Sequence, residues 1–367
     1  MISSLEKIDW RGFLGRPGPL APSAKLLDAL ASESVLITGS GGSIGSALAL
    51  RLAALGPRKL VLIENSEGRL FALQNCLREE VPFCSADLVL GSVLDRNLLD
   101  EIFDLHKPTV VFHAAACKQV PLLEEHPLAA IETNIFGTQL VARMTAQRDA
   151  RMILLSTDKA VEPASLMGAT KRVAEQIVLE SGETVLRLGN VLASSGSVAE
   201  VFAEQIQRGG PITVTDPGAC RYFLTIEEAV DLLIHAFDEP TRGSLLVPSL
   251  QTQHLIADLA KFMVRTLAPE QGIELAFTSA RPGDKVAEKL LGPDERIDRT
   301  RASGLQSVVS PRIDCGLLHR MLRHMRQALD TRDLPTALAT LRMLVPDYTP
   351  SWTIRSIAER TVARVAP

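Results

Sequence analysis

Between Ser34 and Leu188 short apolar runs alternate with longer helix-like stretches, and this alternation constrains the fold more than any other feature. The runs Ser34–Thr38, Leu60–Glu64, Phe83–Ala86, Val110–Ala115, Met152–Ser156 and Val185–Leu188 have the length of single buried strands. Helices are expected over Ser46–Leu55, Glu67–Glu80, Arg96–His106 and Pro127–Ala146, and again from about Leu166. Strand and helix in strict succession predict an α/β fold with a doubly wound parallel sheet. After Asn190 the pattern loosens, then resumes with a helix over Ile226–Phe237 and a strand over Leu245–Pro248. The expected division is an N-terminal arm over 1–34 and a sheet domain over 35–190 plus 223–250. A smaller, discontinuous substrate-binding lobe over 191–222 plus 251–310 and a C-terminal helical extension over 311–367 complete it.

The first strand runs into Thr38-Gly39-Ser40-Gly41-Gly42-Ser43-Ile44-Gly45, a T-G-x-x-G-x-x-G spacing. Glycines between a buried strand and a helix allow a tight turn, close approach of backbone to a pyrophosphate, and close helix–strand packing. Glu64 ends the second strand, where an acid meets the adenosine ribose hydroxyls and repels a 2′-phosphate. The expected cofactor is therefore NAD. The small residues Ala114 and Ala115 after the fourth strand let backbone lie along the nicotinamide ribose. His113 reads as a packed, hydrogen-bonded residue, and Asn134 as a brace for the strand carrying Thr157.

A second constellation follows the strand Met152–Ser156. It reads Thr157-Asp158-Lys159, then Pro163 and Ser165, then a helix carrying Met167 and Lys171. Residues four apart share a helix face, so Met167 and Lys171 lie together with Ala174 and Val178, while Arg172, Glu175 and Gln176 fall on another side. Singly, these would be a loop ion pair and a snorkelling lysine. Together, at the carboxyl end of a buried strand, they mark a site.

The strings S-T-D-K-A-V and S-L-M-G-A-T-K-R resemble the active-site segment of the extended short-chain dehydrogenase/reductases. They are similar in particular to the nucleotide-sugar 4,6-dehydratases of bacterial capsule and polysaccharide biosynthesis that carry Met in place of the usual Tyr. The resemblance implies a Rossmann-like domain, bound NAD and a UDP-hexose substrate, UDP-N-acetylglucosamine first. By the same resemblance Lys159 removes the C5 proton and Asp158 protonates the departing C6 hydroxyl. Lys171 holds the nicotinamide ribose, Thr157 relays the C4-hydroxyl proton, and Met167 stands at the Tyr position. An amine base calls for a pKa brought down from ~10.4 by a neighbouring cation or by desolvation. Ser92 falls where relatives place an adenine-contacting Asp. Lys118, Asn190, Arg221 and Arg281 match substrate-binding positions, the arginines suiting phosphate through their fork of donors. Cys117 and Gln119 depart from the family's Tyr and His.

Composition narrows the alternatives. The 367 residues carry a net charge of −4 without blocks of like charge, which argues against nucleic-acid or anionic-membrane partners. No uninterrupted apolar run reaches the ~20 residues of a membrane span. Five scattered cysteines without metal spacing predict reduced thiols, no metal and a cytoplasmic protein. A homo-oligomer is expected. Two competing readings stand beside the dehydratase, a 4-epimerase or other nucleotide-sugar modifier on the same scaffold, and a catalytically silent dinucleotide-binding scaffold.

Overall fold

The computed structural model describes residues 5, 8–301 and 303–365, with 361–365 as backbone. Nine strands form the main sheet. They are β1 (Ser34–Thr38), β2 (Lys59–Glu64), β3 (Ala86–Leu90), β4 (Val110–His113), β5 (Arg151–Thr157), β6 (Thr184–Leu188), β7 (Leu245–Pro248), β8 (Arg296–Thr300) and β9 (Leu305–Val309). Their spatial order is β8-β9-β7-β6-β5-β4-β1-β2-β3. The stretch from β7 to β3 is parallel, while β8 and β9 add antiparallel strands at one edge. Strand order reverses between β1 and β4, the switch point where such sheets open a crevice at the strands' carboxyl ends.

Both faces of the sheet are covered, which is why its strands read as continuous apolar runs. Leu36, Val61, Val111 and Leu154 pack on one side with helix α2 (Leu166–Glu180). Val35, Ile37, Leu62 and Phe112 pack on the other with helices α1 (Ser43–Leu55) and α3 (Ile226–Phe237). A separate small core joins residues from 191–222 to residues beyond 251, among them Phe202, Ile212, Val214, Leu259 and Met263. Leu14 belongs to that core and Leu30 to the α1 side, and Arg16 reaches Glu228 at 2.7 Å, so the arm is fastened to the domain rather than solvated.

The strand expected at Phe83–Ala86 lies later, at Ala86–Leu90, paired with β2 from Leu60 opposite Ala86. Phe83 is 98% exposed. The apolar signal there was diluted because an edge strand is covered less completely than its neighbours, and β3 is only partly buried. The helix expected over Pro127–Ala146 is interrupted by a π-turn at Glu132–Gly137, and α1 begins at Ser43 rather than Ser46. Within the stretch expected to form the smaller lobe, β8 and β9 extend the main sheet instead. The carboxyl-terminal part holds helices Cys315–Asp330 and Leu334–Leu344, and a third, Trp352–Val365, that sequence periodicity did not single out. No helix among the described residues is long and apolar enough to cross a membrane.

Candidate active site

β5 delivers Thr157 to the carboxyl edge of the sheet, and the chain turns at once through a short 3-10 turn, Asp158–Ala160. The Thr157 hydroxyl oxygen accepts from the Lys159 backbone N–H at 3.3 Å and its O–H donates to Asp158 Oδ1 at 3.0 Å. α2 starts at Leu166 with Ser165 as N-cap, its Oγ accepting from Gly168 N. Gly168 is required there by contact rather than by torsion. A Cβ at this position would stand 3.0 Å from the carbonyl carbon of Lys159 and closer still to its oxygen. The helix is thus pressed onto the turn that carries the acid–base pair.

Asp158 is fully buried and Lys159 partly so. Lys159 Nζ donates to Asp158 Oδ1 at 3.0 Å and to Asn190 Oδ1 at 2.7 Å, and lies 3.5 Å from Glu288 Oε1. Glu288, which the sequence reading did not single out, is buried and also meets Lys285 Nζ at 3.2 Å. Asp158 Oδ2 is buried without a hydrogen-bond partner among the described residues. An orphaned buried acceptor costs roughly 1–3 kcal/mol unless a proton or a ligand satisfies it. Burial pushes the Asp158 carboxyl above the usual carboxylate range despite Lys159 beside it. Burial pulls on the Lys159 ammonium, but Asp158 and Glu288 outweigh it and hold the amine above an ordinary lysine, with Arg221 a smaller opposing charge. That direction is opposite to the lowered pKa the sequence reading required of a base.

Met167 and Lys171 are both 5% exposed. Lys171 Nζ donates to the Leu155 carbonyl at 2.7 Å, and burial brings its pKa down to about 8 against the pull of Glu175. The polar side of α2 is not a solvent face. Glu175 and Gln176 are buried, because Arg187 and Ser156 close over the first while Pro311 and Ile313 close over the second. Arg187 is fully buried between Glu175 and Glu295 at 2.5–2.9 Å.

The glycine turn forms a close-fitting cradle. Gly39 has φ +68°, and a Cβ on it would lie 2.7 Å from Ala115 Cα, so β1 and the strand β4 loop meet backbone to backbone. A Cβ on Gly45 would come within 3.0 Å of the Gly39 carbonyl carbon. Gly42 is the N-cap of α1 and no side chain caps that helix end. Ser43 and Ile44 open the helix, with Ser43 Oγ accepting from Ser195 N at 2.8 Å. These features fit a bound dinucleotide pyrophosphate. Glu64 is buried and turned onto the turn, its two oxygens accepting from Gly41 N and Ser66 N at 3.0 Å. Ser92 Oγ accepts from Leu94 N at 3.2 Å.

His113 is buried between the Thr38 and Thr138 hydroxyls at 2.7 and 3.0 Å, and burial lowers it to about 3, so it stays a neutral brace. Asn134 does not brace β5. It clamps the Cys117 backbone at 2.8 and 3.0 Å and donates to Thr170 Oγ1 at 3.0 Å, tying the β4 loop to α2 from within the π-turn. Ala114 and Ala115 lie in that loop, and Lys118 is exposed beyond it. Arg221 joins the cluster, its guanidinium donating to the carbonyls of Cys220, Lys285 and Val286 at 2.7–3.0 Å. Arg281 is not brought to it. Its side chain is 60% exposed and pairs with Asp284 at 3.0 Å. Away from the site, Glu180, Cys315 and His319 meet at the surface.

A family described as polysaccharide biosynthesis protein matches residues 35–309. The chain is 36% identical over 307 residues to the capsular polysaccharide biosynthesis protein CapD of Staphylococcus aureus, covering 80% of this chain and 51% of CapD. The chain thus spans about half the length of that relative. It is 33% identical over 277 residues to a UDP-glucose 4-epimerase of Rickettsia rickettsii, covering 72% of this chain and 79% of the epimerase. Among solved structures, Pen from Bacillus thuringiensis superposes with a TM-score of 0.67 at 28% identity, over 71% of this chain and 84% of Pen. The dTDP-glucose 4,6-dehydratase DesIV of Streptomyces venezuelae, solved with NAD, shares the fold with a TM-score of 0.61 at 17% identity, over 71% of this chain and 88% of DesIV.

Proposed function

Since the chain belongs to the polysaccharide biosynthesis protein family, we propose that it is an NAD-dependent nucleotide-sugar 4,6-dehydratase, a hydro-lyase, acting on a UDP-hexose such as UDP-N-acetylglucosamine. The observation that carries this reading is the buried acid–amine pair Asp158–Lys159 at the end of β5, with one carboxylate oxygen unpartnered. An epimerase acts at C4 alone and has no need of an acid and a base for C5 and C6. The cradle of Thr38, Gly39, Gly42, Ser43, Ile44 and Gly45, with Glu64, Ser92, Ala114 and Ala115, would hold NAD, with Lys171 at its nicotinamide ribose. Bound there, NAD would supply the hydride acceptor for C4 and the hydride donor for C6.

The chain's own part is proton traffic. With C4 at the ketone level the C5 proton is acidified. Lys159 would take it while Asp158 delivers a proton to the C6 oxygen, so that C5–H and C6–O break, C5=C6 forms and water leaves. The base form of Lys159 exists when Asp158 holds the shared proton. Burial works toward this neutral pairing by raising Asp158, while the attraction of Asp158 and Glu288 for the ammonium works against it. Elimination leaves Lys159 protonated and Asp158 ionised, joined by the 3.0 Å hydrogen bond between them. As C6 is reduced, Lys159 returns a proton to C5. Thr157, whose hydroxyl bonds Asp158, would relay the C4-hydroxyl proton, which makes good the one that Asp158 loses with water, and Met167, unable to ionise, would only fill the Tyr position. Asn190 keeps Lys159 in place. Lys118, Arg221 and Arg281 would serve the nucleotide diphosphate, for which Arg281 must move from its present pairing with Asp284.

The 4-epimerase reading is favoured by one finding, the 33% identity to a UDP-glucose 4-epimerase. Incubating the protein with a panel of UDP- and dTDP-sugars and weighing the products separates the two. Loss of one water is expected. An isomer of unchanged mass identifies an epimerase, and no new product with any sugar overturns both.

A further inference from the structure

Two buried carboxylates compete for one amine in this site, and only one of them belongs to the acid–base pair. Lys159 Nζ stands 3.0 Å from Asp158 Oδ1 and 3.5 Å from Glu288 Oε1. Glu288 is 3% exposed and arrives from a distant segment, the loop that follows Arg281. Its backbone is fixed by Gln253, whose Nε2 donates to the Glu288 carbonyl at 2.8 Å. Its other oxygen faces Lys285 Nζ at 3.2 Å, and Lys285 in turn donates to the Val161 carbonyl at 2.6 Å, directly after the Asp158–Ala160 turn. Arg221 hydrogen-bonds the Lys285 and Val286 carbonyls beside it. The charged groups around Glu288 are therefore Lys159, Lys285, Arg221 and, across Lys159, Asp158.

We propose that Glu288 is a positioning residue for the reaction: its carboxylate anchors the Lys159 amine between two acids and thereby sets the pH range over which Asp158 and Lys159 work. Three cations around one buried carboxylate keep Glu288 ionised, and despite its burial Lys159, Lys285 and Arg221 hold it below the usual carboxylate range. A fixed anion stabilises the protonated amine of Lys159 and disfavours the anionic form of Asp158. Both groups therefore bind their protons more tightly because Glu288 is there, and Asp158 is kept the acid while Glu288 stays the counter-ion. Environments that push two neighbouring carboxyl groups apart in this way divide acid from spectator. A purely structural ion cluster would share the geometry but would leave the working pH to Asp158 and Lys159 alone.

This inference rests on the acid–base reading of Asp158 and Lys159, and its test keeps the two apart. The full chain, Glu288→Gln and Glu288→Asp are compared in two measurements. The first is the pH profile of dehydration of the UDP-sugar that the wild type accepts. The second needs no turnover: competitive acetylation of Lys159 across pH, read by peptide mass spectrometry. Removing the anion lowers the proton affinity of both partners, so both limbs of the Glu288→Gln profile should move toward acid by about one pH unit or more. The Lys159 labelling midpoint should move the same way, and Glu288→Asp should restore most of both. A Glu288→Gln protein whose Lys159 midpoint stays at the wild-type value overturns the proposal, whatever its kcat. If the midpoint moves while the wild type dehydrates no sugar, the anchoring role of Glu288 stands and the dehydratase reading falls.

Discussion

Substituting Gly168 by Ala tests whether the packing of α2 on the Asp158–Ala160 turn positions the chemistry. The new methyl would lie 3.0 Å from the Lys159 carbonyl carbon and 3.1 Å from Pro163 Cβ. The tightest clash is with the Lys159 carbonyl oxygen, a backbone atom that cannot swing aside, so helix and turn must part by about 1 Å. Stability should fall. Overpacking costs ~1–3 kcal/mol, and Ala in place of Gly returns ~0.5–1 kcal/mol as a helix residue. The net loss spans about 0–2.5 kcal/mol and lies toward the upper end because the clash is with backbone, a few degrees in Tm for a chain of this size. Catalysis should change much more, because a misplacement of ~1 Å can cost ~10²-fold. The assay pairs a thermal melt with turnover of the UDP-sugar that the wild type dehydrates. A folded variant with Tm lowered by a few degrees and a roughly hundredfold lower kcat is expected. Native kcat in a folded Gly168→Ala protein would refute the claim that this contact fixes Lys159.

Three further outcomes follow from the same geometry. Asp158→Asn should lose most dehydration while Met167→Leu keeps a substantial share, as initial rates of product formation will show; the reverse ranking would contradict the assignment of acid and spacer. Lys171 releases its proton at about 8 in the folded chain but near ~10.4 unfolded, so burying its charge destabilises the fold below pH 8 and wild-type stability rises between pH 8 and 10. In urea melts Lys171→Met should be more stable at pH 7, by up to about 3 kcal/mol, with the difference shrinking by pH 10, while activity falls. Against its burial, Arg187 holds Glu295 down to about 2, so that stabilisation is present above the unfolded pKa of ~4.3 and is lost as pH falls toward 2. Arg187→Leu leaves the partly exposed Arg172 as the remaining partner of Glu175 and Glu295 and should lose about 3 kcal/mol at pH 7, with a flattened acid limb in the melts.

Much of the centre of the fold was legible because burial on both sheet faces writes itself into sequence as uninterrupted apolar runs, as in β1 and β6, both buried throughout. The glycine turn was legible for a local reason, since strand, glycines and helix follow one another directly. β3 was misplaced because an edge strand has partial cover and a weaker signal. The π-turn at Glu132–Gly137 leaves no mark in composition. Thr157, Asp158, Lys159, Met167 and Lys171 could be found together because one strand–turn–helix unit carries them. Glu288 could not, because its partner Lys159 is brought to it only by the tertiary fold. Its one sequence trace is the i, i+3 spacing from Lys285 after the RPGDK turn. The enclosure of Arg187 by Glu175 and Glu295 is likewise tertiary and leaves no local mark.

The claim at the centre is that hydride leaves C4 and returns to C6 while the chain's own acid and base remove water between C5 and C6. A UDP-N-acetylglucosamine carrying deuterium at C4, converted in ordinary water and analysed by mass spectrometry and NMR, follows that transfer atom by atom. The account predicts a 4-keto-6-deoxy product with the deuterium on C6 and a solvent proton at C5. Deuterium retained on C4 of a product that still bears its C6 hydroxyl would contradict it.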